Sequence, residues 1–412
     1  MGRGTKLCVR YAIDSSTPTG TLNINSNQPE IPEMPEEISA RKTFSSATPL
    51  PAGSPAGVRV GDRLFTSGIV SDRTGGIESE SHRVFQLVAE LLRSARLSTD
   101  DVVRTRIWHT SKDGAESEAL PRVVHGVIFS HPGPALTIVQ VERLPGGVEV
   151  AVELEAIAGS AADSTKYESD YESSSSMAVQ VGGELWTSGL RGDPGVDRDT
   201  QVGQTFENAA GLMKRAGIGA GDVVSTRHFM RYDVQFESDP LDWNAFKAPS
   251  IPTSAGIAVS GVGGDGQVVS IEMEAVAGAA DGRTNLRTGR TFEVEHNYCR
   301  AVLVNSGDVI YVAGTTSLIP GEIIQHPSEV GPQVGDTLEI IKWAIMELGF
   351  EWDDIVQTRA YIVGGDDEIS EAVSALEQAL PGHQVANTIV GVPVLGRPGV
   401  VVEIEARAVR GD

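Results

Sequence analysis

Three stretches of the chain share one pattern of hydrophobic and polar positions. Each stretch is a pair of short segments in which apolar and polar residues alternate, joined by a polar turn that contains glycine and ended by a further glycine. Alternation with a period of two is typical of strands with one buried face, so the pattern predicts the same β-hairpin three times. The copies are VRVGDRLFTSG at 58–68, VQVGGELWTSG at 179–189 and LVNSGDVIYVAG at 303–314.

A segment with apolar residues spaced three and four apart follows each hairpin. This spacing predicts a helix with one buried face. The apolar positions are Val84, Leu87, Val88, Leu91 and Leu92 in the first copy, Phe206, Ala209, Ala210 and Met213 in the second, and Leu338, Ile341, Ile345 and Leu348 in the third.

Two more strands complete each copy. The first carries an arginine five residues after an aspartate, in DDVVRTRIWHT, GDVVSTRHFMR and DDIVQTRAYIV. The second is a closing strand, ELEAIAG at 153–159, EMEAVAG at 272–278 and EIEARAV at 403–409. The recurring order of hairpin, helix and strands predicts an α+β unit present three times.

These copies set the domain boundaries. We predict an N-terminal arm at 1–42, irregular apart from a possible added strand in LCVRYAI, followed by repeat 1 at 43–160, repeat 2 at 161–282 and repeat 3 at 283–412. The polar stretches at 160–176 and 279–290 are interpreted as connectors. In repeat 3 the loop SLIPGEIIQHPSEVGP lengthens the gap between hairpin and aspartate, and a longer loop in one copy indicates a specialised function there.

Composition and charge exclude several classes of function. The chain has 33 Lys and Arg against 56 Asp and Glu, a net charge of −23 that repels nucleic-acid phosphates and anionic membranes. It has no long apolar run and no signal-like N-terminus, so we expect a cytoplasmic protein. The two cysteines, Cys8 and Cys299, lie far apart, and the histidines form no HxxxH or HxH pair, so we expect no metal and no cofactor.

The repeat resembles the Rid family, also called YjgF/YER057c/UK114. The resemblance rests on the strand ending in TSG, on QTFENAAGLMKRAG and GDVVSTR in repeat 2, and on HNYCRAVLVNSGDVIYVAG and EIEARAV in repeat 3. It implies a chorismate-mutase-like fold with two helices on one face of a sheet, and a trimer with clefts between neighbouring subunits. Three fused copies would then form an intramolecular pseudo-trimer, alone or as part of a larger homo-oligomer.

The resemblance also implies site residues, and one of them is missing. The family's carboxylate-binding arginine corresponds to Leu136, Ser254 and Asn387, and the cysteine two positions later corresponds to Ile138, Gly256 and Ile389. Standard hydrolysis of 2-imino acids is therefore not expected. Asn387 and Ser254 remain candidates for substrate binding through their own polar groups.

The family's water-positioning glutamate is matched to Glu153, Glu272 and Glu403, which are candidate general bases. The alternative is that each belongs to a strand with one polar side, since a second glutamate follows two residues later. The family tyrosine has a match only in repeat 3, at Tyr298, and Arg300 is the candidate replacement for the missing carboxylate anchor. Tyr298 works either with Glu403 or with the glutamate of another repeat.

The recurring arginines Arg106, Arg227 and Arg359 face one surface, because side chains on a strand alternate. They either form ion pairs between repeats or hold an anionic substrate, for which Arg359 is the candidate. The best-furnished cleft is one built with repeat 3, and we expect it to bring together Asn387, Glu403 and Tyr298 or Arg300. We expect an enzyme of specialised metabolism that hydrolyses, eliminates or cyclises a small carbonyl, imine or enamine compound. The alternative is a non-catalytic binding or regulatory protein, and a ribonuclease is opposed by the negative charge.

Overall fold

The computed structural model describes residues 41–47, 49–72, 75–110, 115–129, 131–169, 174–234, 250–304, 308–380 and 384–411, with backbone only at 115–119. The predicted arm at 1–42, including LCVRYAI, lies outside these residues except for its last two positions. Within the described parts of the chain, no helix is both long enough and apolar enough to cross a membrane.

Repeat 1 has a sheet covered by two helices. Its strands are β1 (Lys42–Phe44), β2 (Gly57–Val60), β3 (Arg63–Thr66), β4 (Ile69–Val70), β5 (Val102–His109), β6 (Ala135–Gln140) and β7 (Val150–Ile157). Its helices are α1 (Ile77–Ser94) and α2 (Ala115–Ile128), and the short α3 (Ser160–Asp163) leads to repeat 2.

Repeat 2 follows the same order with one described long helix, α4 (Arg198–Ala216). Its strands are β8 (Ser164–Glu168), β9 (Ser176–Val181), β10 (Glu184–Thr187), β11 (Val223–Arg231), β12 (Thr253–Val259), β13 (Gly261–Val262) and β14 (Val269–Val276). The segment 235–249, where repeat 1 has its second helix, lies outside the described residues.

Repeat 3 adds a small hairpin to this plan. Its strands are β15 (Arg283–Leu286), β16 (Ala301–Val304), β17 (Val309–Thr315), β18 (Leu318–Ile319), β19 (Ile323–Ile324), β20 (Ile355–Val363), β21 (Ala386–Val392) and β22 (Val402–Val409). Its helices are α5 (Thr291–Glu295), α6 (Val330–Glu347) and α7 (Asp366–Ala379). The added hairpin β18–β19 is built by the long loop that distinguishes this repeat.

Local sequence explains these elements. In the first two hairpins Gly61 and Gly182 take positive φ at the two-residue turn, as a tight hairpin requires. The recurring aspartates close the turn before the arginine strand, since Asp101, Asp222 and Asp354 each accept a backbone N–H from three residues earlier. The helix faces are buried largely as predicted; Ala210, however, is exposed, because the helix turns Leu212 toward the core instead.

The stretches interpreted as connectors contain ordered strands, which corrects that interpretation. β8 and β15 each pair with the first strand of the next hairpin, as β1 does in repeat 1. A polar edge strand with one exposed face carries little hydrophobic signal, so its sequence looks like a linker.

Equivalent strands of the three repeats share one core. Repeats 1 and 2 are joined through β6 and β9 into one sheet, and repeat 3 forms its own sheet in the order β15-β16-β17-β22-β20-β21. Where the repeats meet, the Trp108 ring packs edge-on against Phe229 and Tyr361, with centroids 5.7 and 6.3 Å away. These three aromatics occupy the same strand position in their repeats, as expected for a pseudo-trimer.

Candidate functional site

The strand register corrects the choice of equivalent glutamates. In repeats 1 and 2 the recurring arginine lies opposite the first glutamate of the closing strand, whereas in repeat 3 it lies opposite the second. Glu403 is therefore not equivalent to the two glutamates with which it was matched. The two glutamates of each closing strand are two residues apart. A shift of one closing strand by two residues keeps every side chain on the same face, so the sequence pattern does not reveal the shift. The opposed pairs are Arg106 and Glu153, Arg227 and Glu272, and Arg359 and Glu405.

The equivalent glutamates form a buried ring with the recurring arginines. Arg106 Nε lies 2.8 Å from Glu272, and Arg359 Nε lies 2.7 Å from Glu153, each pair joining two repeats. Arg227 and Glu405 make the third contact of this kind. The ion-pair alternative therefore describes these arginines, and Glu153, Glu272 and Arg359 lie in the ring.

A second buried layer balances the remaining charges of these strands. Arg104 contacts Glu155 at 2.5 Å and Glu274 at 2.7 Å, and Arg407 contacts the same two carboxylates at 2.9 and 2.5 Å. Each layer thus contains as many guanidiniums as carboxylates. Burial by itself raises the pKa of Glu153, but Arg359 and Arg106 outweigh it and hold that pKa below its ordinary value. The arginines likewise hold the pKa values of Glu155, Glu272 and Glu274 below the ordinary value, so these carboxylates and Glu153 are ionised structural groups and poor proton donors near pH 7.

Glu403 lies outside both layers, at a position that is Ala151 in repeat 1 and Ser270 in repeat 2. It is buried beside Gly314, so closely that a Cβ on that glycine would be 2.0 Å from a Glu403 carboxylate oxygen. A side chain at 314 would therefore have to displace the Glu403 carboxyl group. Among the described residues Glu403 forms no ion pair.

Burial and a like charge shift the proton equilibrium of Glu403. Loss of hydration and the neighbouring Glu405 raise the pKa of Glu403 from its ordinary 4.5 to about 8, and Arg300 opposes the shift without cancelling it. Glu403 therefore holds a proton at neutral pH. It can donate that proton and take one back, as a general acid–base group does.

The three junctions between repeats differ in size because one strand carries small residues. Thr105, Thr226 and Thr358 pair in identical register with Leu136, Ser254 and Asn387. The segment Ser254-Ala255-Gly256 of β12 thus replaces Leu136-Thr137-Ile138 and Asn387-Thr388-Ile389 of the other repeats. The missing side-chain volume leaves space between repeats 2 and 3.

The other two junctions are filled by side chains. Between repeats 3 and 1 the Gly68 N–H donates to the Asn387 carbonyl at 3.3 Å, and Thr388 packs against Gly68. Asn387 is therefore buried in a different junction from Glu403, contrary to the expected grouping. Between repeats 1 and 2 the cavity beside Gly189 measures only about 10 Å³, about the space of one water molecule.

The cavity between repeats 2 and 3 measures about 190 Å³. It brings together four predicted site residues, and its remaining walls come from both repeats. The predicted residues that line it are Glu403, Tyr298, Arg300 and Ser254. Tyr298 therefore shares a cavity with the glutamate of its own repeat. Burial raises the pKa of the Tyr298 phenol, so it stays a hydrogen-bond donor at neutral pH.

Arg300 is held rigidly at the cavity wall. Its Nη1 donates to the Gly314 carbonyl at 3.0 Å and to Thr315 Oγ1 at 2.9 Å, and its Nη2 lies 3.1 Å from Glu293. Glu293 itself accepts two hydrogen bonds from Thr288. Most of the charge and donor capacity of Arg300 is therefore committed to the protein.

Several cavity residues were missed by the sequence reasoning. Arg397 lies 3.0 Å from Glu322 of the added hairpin, with its guanidinium over the Phe292 ring. Arg290 lines the cavity from the stretch that was interpreted as a connector. The unusual length of the loop was the sequence feature that could have indicated Glu322. No sequence feature indicated Arg290, because the position of Arg290 depends on how repeat 3 packs against the hairpin. Within the described ranges, no group of three His, Cys, Asp or Glu side chains could hold a metal ion.

Comparison with known proteins identifies the family of repeats 1 and 3. A family model described as Endoribonuclease L-PSP matches residues 46–160 and 288–410. A RutC family protein of Saccharolobus solfataricus is 32% identical over 123 residues, 28% of this chain and 94% of the relative. These two matches confirm the resemblance to the Rid family.

Solved structures give matches at two scales. A member of the YjgF/YER057c/UK114 family from Mycobacterium tuberculosis is 31% identical, with a TM-score of 0.27, and the match covers 31% of this chain and 98% of that one. A chorismatase has a TM-score of 0.54 at 13% identity, over 75% of this chain and 93% of that one. The likeness to the chorismatase concerns the fold, and it extends well beyond one repeat, as the predicted α+β pseudo-trimer requires.

Proposed function

We propose, from the premise that this chain belongs to the Endoribonuclease L-PSP family, that it is an enzyme acting on a small anionic carbonyl, imine or enamine metabolite. The reaction takes place in the cavity between repeats 2 and 3. One observation carries the proposal: among the described residues Glu403 is a buried carboxyl group that makes no ion pair, and it lines the cavity.

The proposed chemistry follows from that carboxyl group. Protonated Glu403 donates its proton to the imine nitrogen, or to the β-carbon of an enamine, and this gives an iminium ion. The resulting carboxylate accepts a proton from water as the water oxygen bonds to the iminium carbon. Return of that proton to nitrogen breaks the C–N bond, so that ammonia or an amine leaves and the carbonyl compound remains. Tyr298 donates a hydrogen bond to an oxygen or nitrogen that gains electron density. The outcome is hydrolysis, or elimination or ring closure when no water attacks, and fusion of the repeats lets one junction specialise for a dedicated pathway.

Cationic side chains support an anionic substrate. Three arginines line the cavity of a chain whose net charge is −23, so their local concentration is not a consequence of composition. RNA cleavage is not proposed, because that same net charge opposes binding of a polyanion. The filled junctions and the ring residues Glu153, Glu272 and Arg359 are not part of the proposed site.

The test is turnover by the intact chain with a panel of imines generated from amino acids, 2-oxo acids and, because of the chorismatase neighbour, chorismate. Glu403→Gln should lower kcat by about 10²-fold or more while the fold persists. Ser270→Ala is the matched control, since it changes the equivalent position in another junction and should leave kcat unchanged. Full turnover by Glu403→Gln would refute the proposal, and saturable binding without any turnover would favour a non-catalytic binding protein.

A further inference from the structure

The cavity lacks the arginine that the resemblance implies for carboxylate binding, because Ser254 occupies that position. Three other guanidiniums line the cavity, those of Arg290, Arg300 and Arg397. A guanidinium can hold a substrate carboxylate only if its charge and donors are not already committed to protein groups. The three arginines differ in this respect.

Arg300 and Arg397 are already bound to protein groups. Arg300 is bound by Glu293, by the Gly314 carbonyl and by Thr315. Arg397 pairs with Glu322.

The protein contacts of Arg290 differ from those of Arg300 and Arg397. Its Nε is buried without a hydrogen-bond partner, and no ion pair joins Arg290 within the described residues. Burial and the charge of Arg300 lower the pKa of Arg290, while Glu293 and Glu322 act in the opposite direction. Arg290 and Arg300 both line the cavity, so an anion bound there offsets two neighbouring positive charges and can accept hydrogen bonds from the Arg290 guanidinium.

Arg290 also occupies the boundary of two spaces. Together with Glu322 it lines both the cavity and an open groove of about 660 Å³ on the outer side of the added hairpin, beside the half-exposed Trp343. Arg290 therefore borders both the groove and the cavity that contains Glu403.

We propose that Arg290 is the specificity-determining residue that binds the substrate carboxylate, in place of the arginine that is absent at Ser254. This inference rests on the proposed function for the identity of the site, but it makes a claim about binding alone. The proposed substrate is therefore a carboxylate. In the cavity its carboxyl group points toward the added hairpin and its reacting bond points toward Glu403.

The experiment compares pyruvate with methyl pyruvate, which keeps the carbonyl group and lacks the carboxylate charge, by calorimetric titration of the full chain. The unmodified protein should bind pyruvate at least about tenfold more tightly than the ester. Arg290→Gln should abolish this preference, and Arg290→Lys should restore part of it, because lysine keeps the charge and loses the fork. Arg287→Gln is the matched control, since Arg287 lines the outer groove but not the cavity, and it should keep the preference.

The outcomes separate this inference from the proposed function. Glu403→Gln should retain the preference for pyruvate even where turnover is lost. Loss of the preference in Arg290→Gln supports the carboxylate site whether or not any substrate is turned over. No saturable pyruvate binding, an unchanged preference in Arg290→Gln, or loss of the preference in Arg300→Gln alone would overturn it.

Discussion

Replacement of Glu403 by glutamine is expected to stabilise the protein, although it removes the proposed acid–base group. Burial and Glu405 raise the pKa of Glu403 in the folded protein to about 8, against 4.5 for an ordinary glutamate. The stabilising contribution of a group with a raised pKa is complete below pH 4.5 and is lost as the pH rises toward 8. Glutamine has nearly the same shape and cannot ionise, so the variant does not suffer this loss.

The magnitude follows from linkage. Each pH unit between the two pKa values changes the free energy of unfolding by about 1.4 kcal/mol. The Glu403→Gln variant should therefore match the parent near pH 4.5, exceed it by about 3 kcal/mol at pH 7 and by about 4 kcal/mol at pH 8. With an unfolding entropy of about 2.1 cal/mol/K per residue over 412 residues, 3 kcal/mol corresponds to a Tm increase of about 3 to 4 °C.

Melting temperatures of both proteins between pH 4.5 and 8.5 test this reasoning. The control is Glu272→Gln, which removes a buried carboxylate that is paired with Arg106 and should lower Tm at pH 7. A Glu403→Gln variant that melts at or below the parent at pH 8, or a difference that does not grow with pH, would refute the assignment of a protonated Glu403.

Three further predictions test the site and buried groups elsewhere in the fold. Gly314→Ala places a methyl group against the Glu403 carboxyl and should lower kcat by about 10²-fold with the chain still folded by circular dichroism; unchanged kcat would contradict the close approach. Tyr361→Phe removes the 2.6 Å hydrogen bond to Glu405 and should lower the free energy of denaturant unfolding by about 1.5 to 3 kcal/mol. An unchanged free energy of unfolding would show that the buried ring of arginines and glutamates does not need this hydrogen bond. Burial lowers the pKa of His109 to about 4 and of His125 to about 3, so stability should fall as the pH decreases from 6.5 toward 4, and His125→Phe should flatten that decline in thermal melts.

The sequence by itself determined the repeats and most of their elements. Hydrophobic periodicity, the turn glycines and the capping aspartates act over a few residues, so the hairpins, the helices and the three-fold repetition could be predicted from local pattern. The recurring arginines were also predicted to share one surface, because alternation along a strand is a local property. Ser254 and Gly256 were identified only as departures from the family's arginine and cysteine, and the sequence could not say that together they open a junction.

The tertiary structure decided which residues work together. Strand register depends on pairing between distant segments, and a shift of two residues in β22 leaves the hydrophobic pattern intact while it exchanges Glu405 for Glu403 in the ring. Only that register shows Glu403 as the carboxyl group outside the balanced layers. Arg290 likewise gains its place from the packing of repeat 3 around the added hairpin, because a side chain in a polar stretch carries no local sign of the cavity it will face.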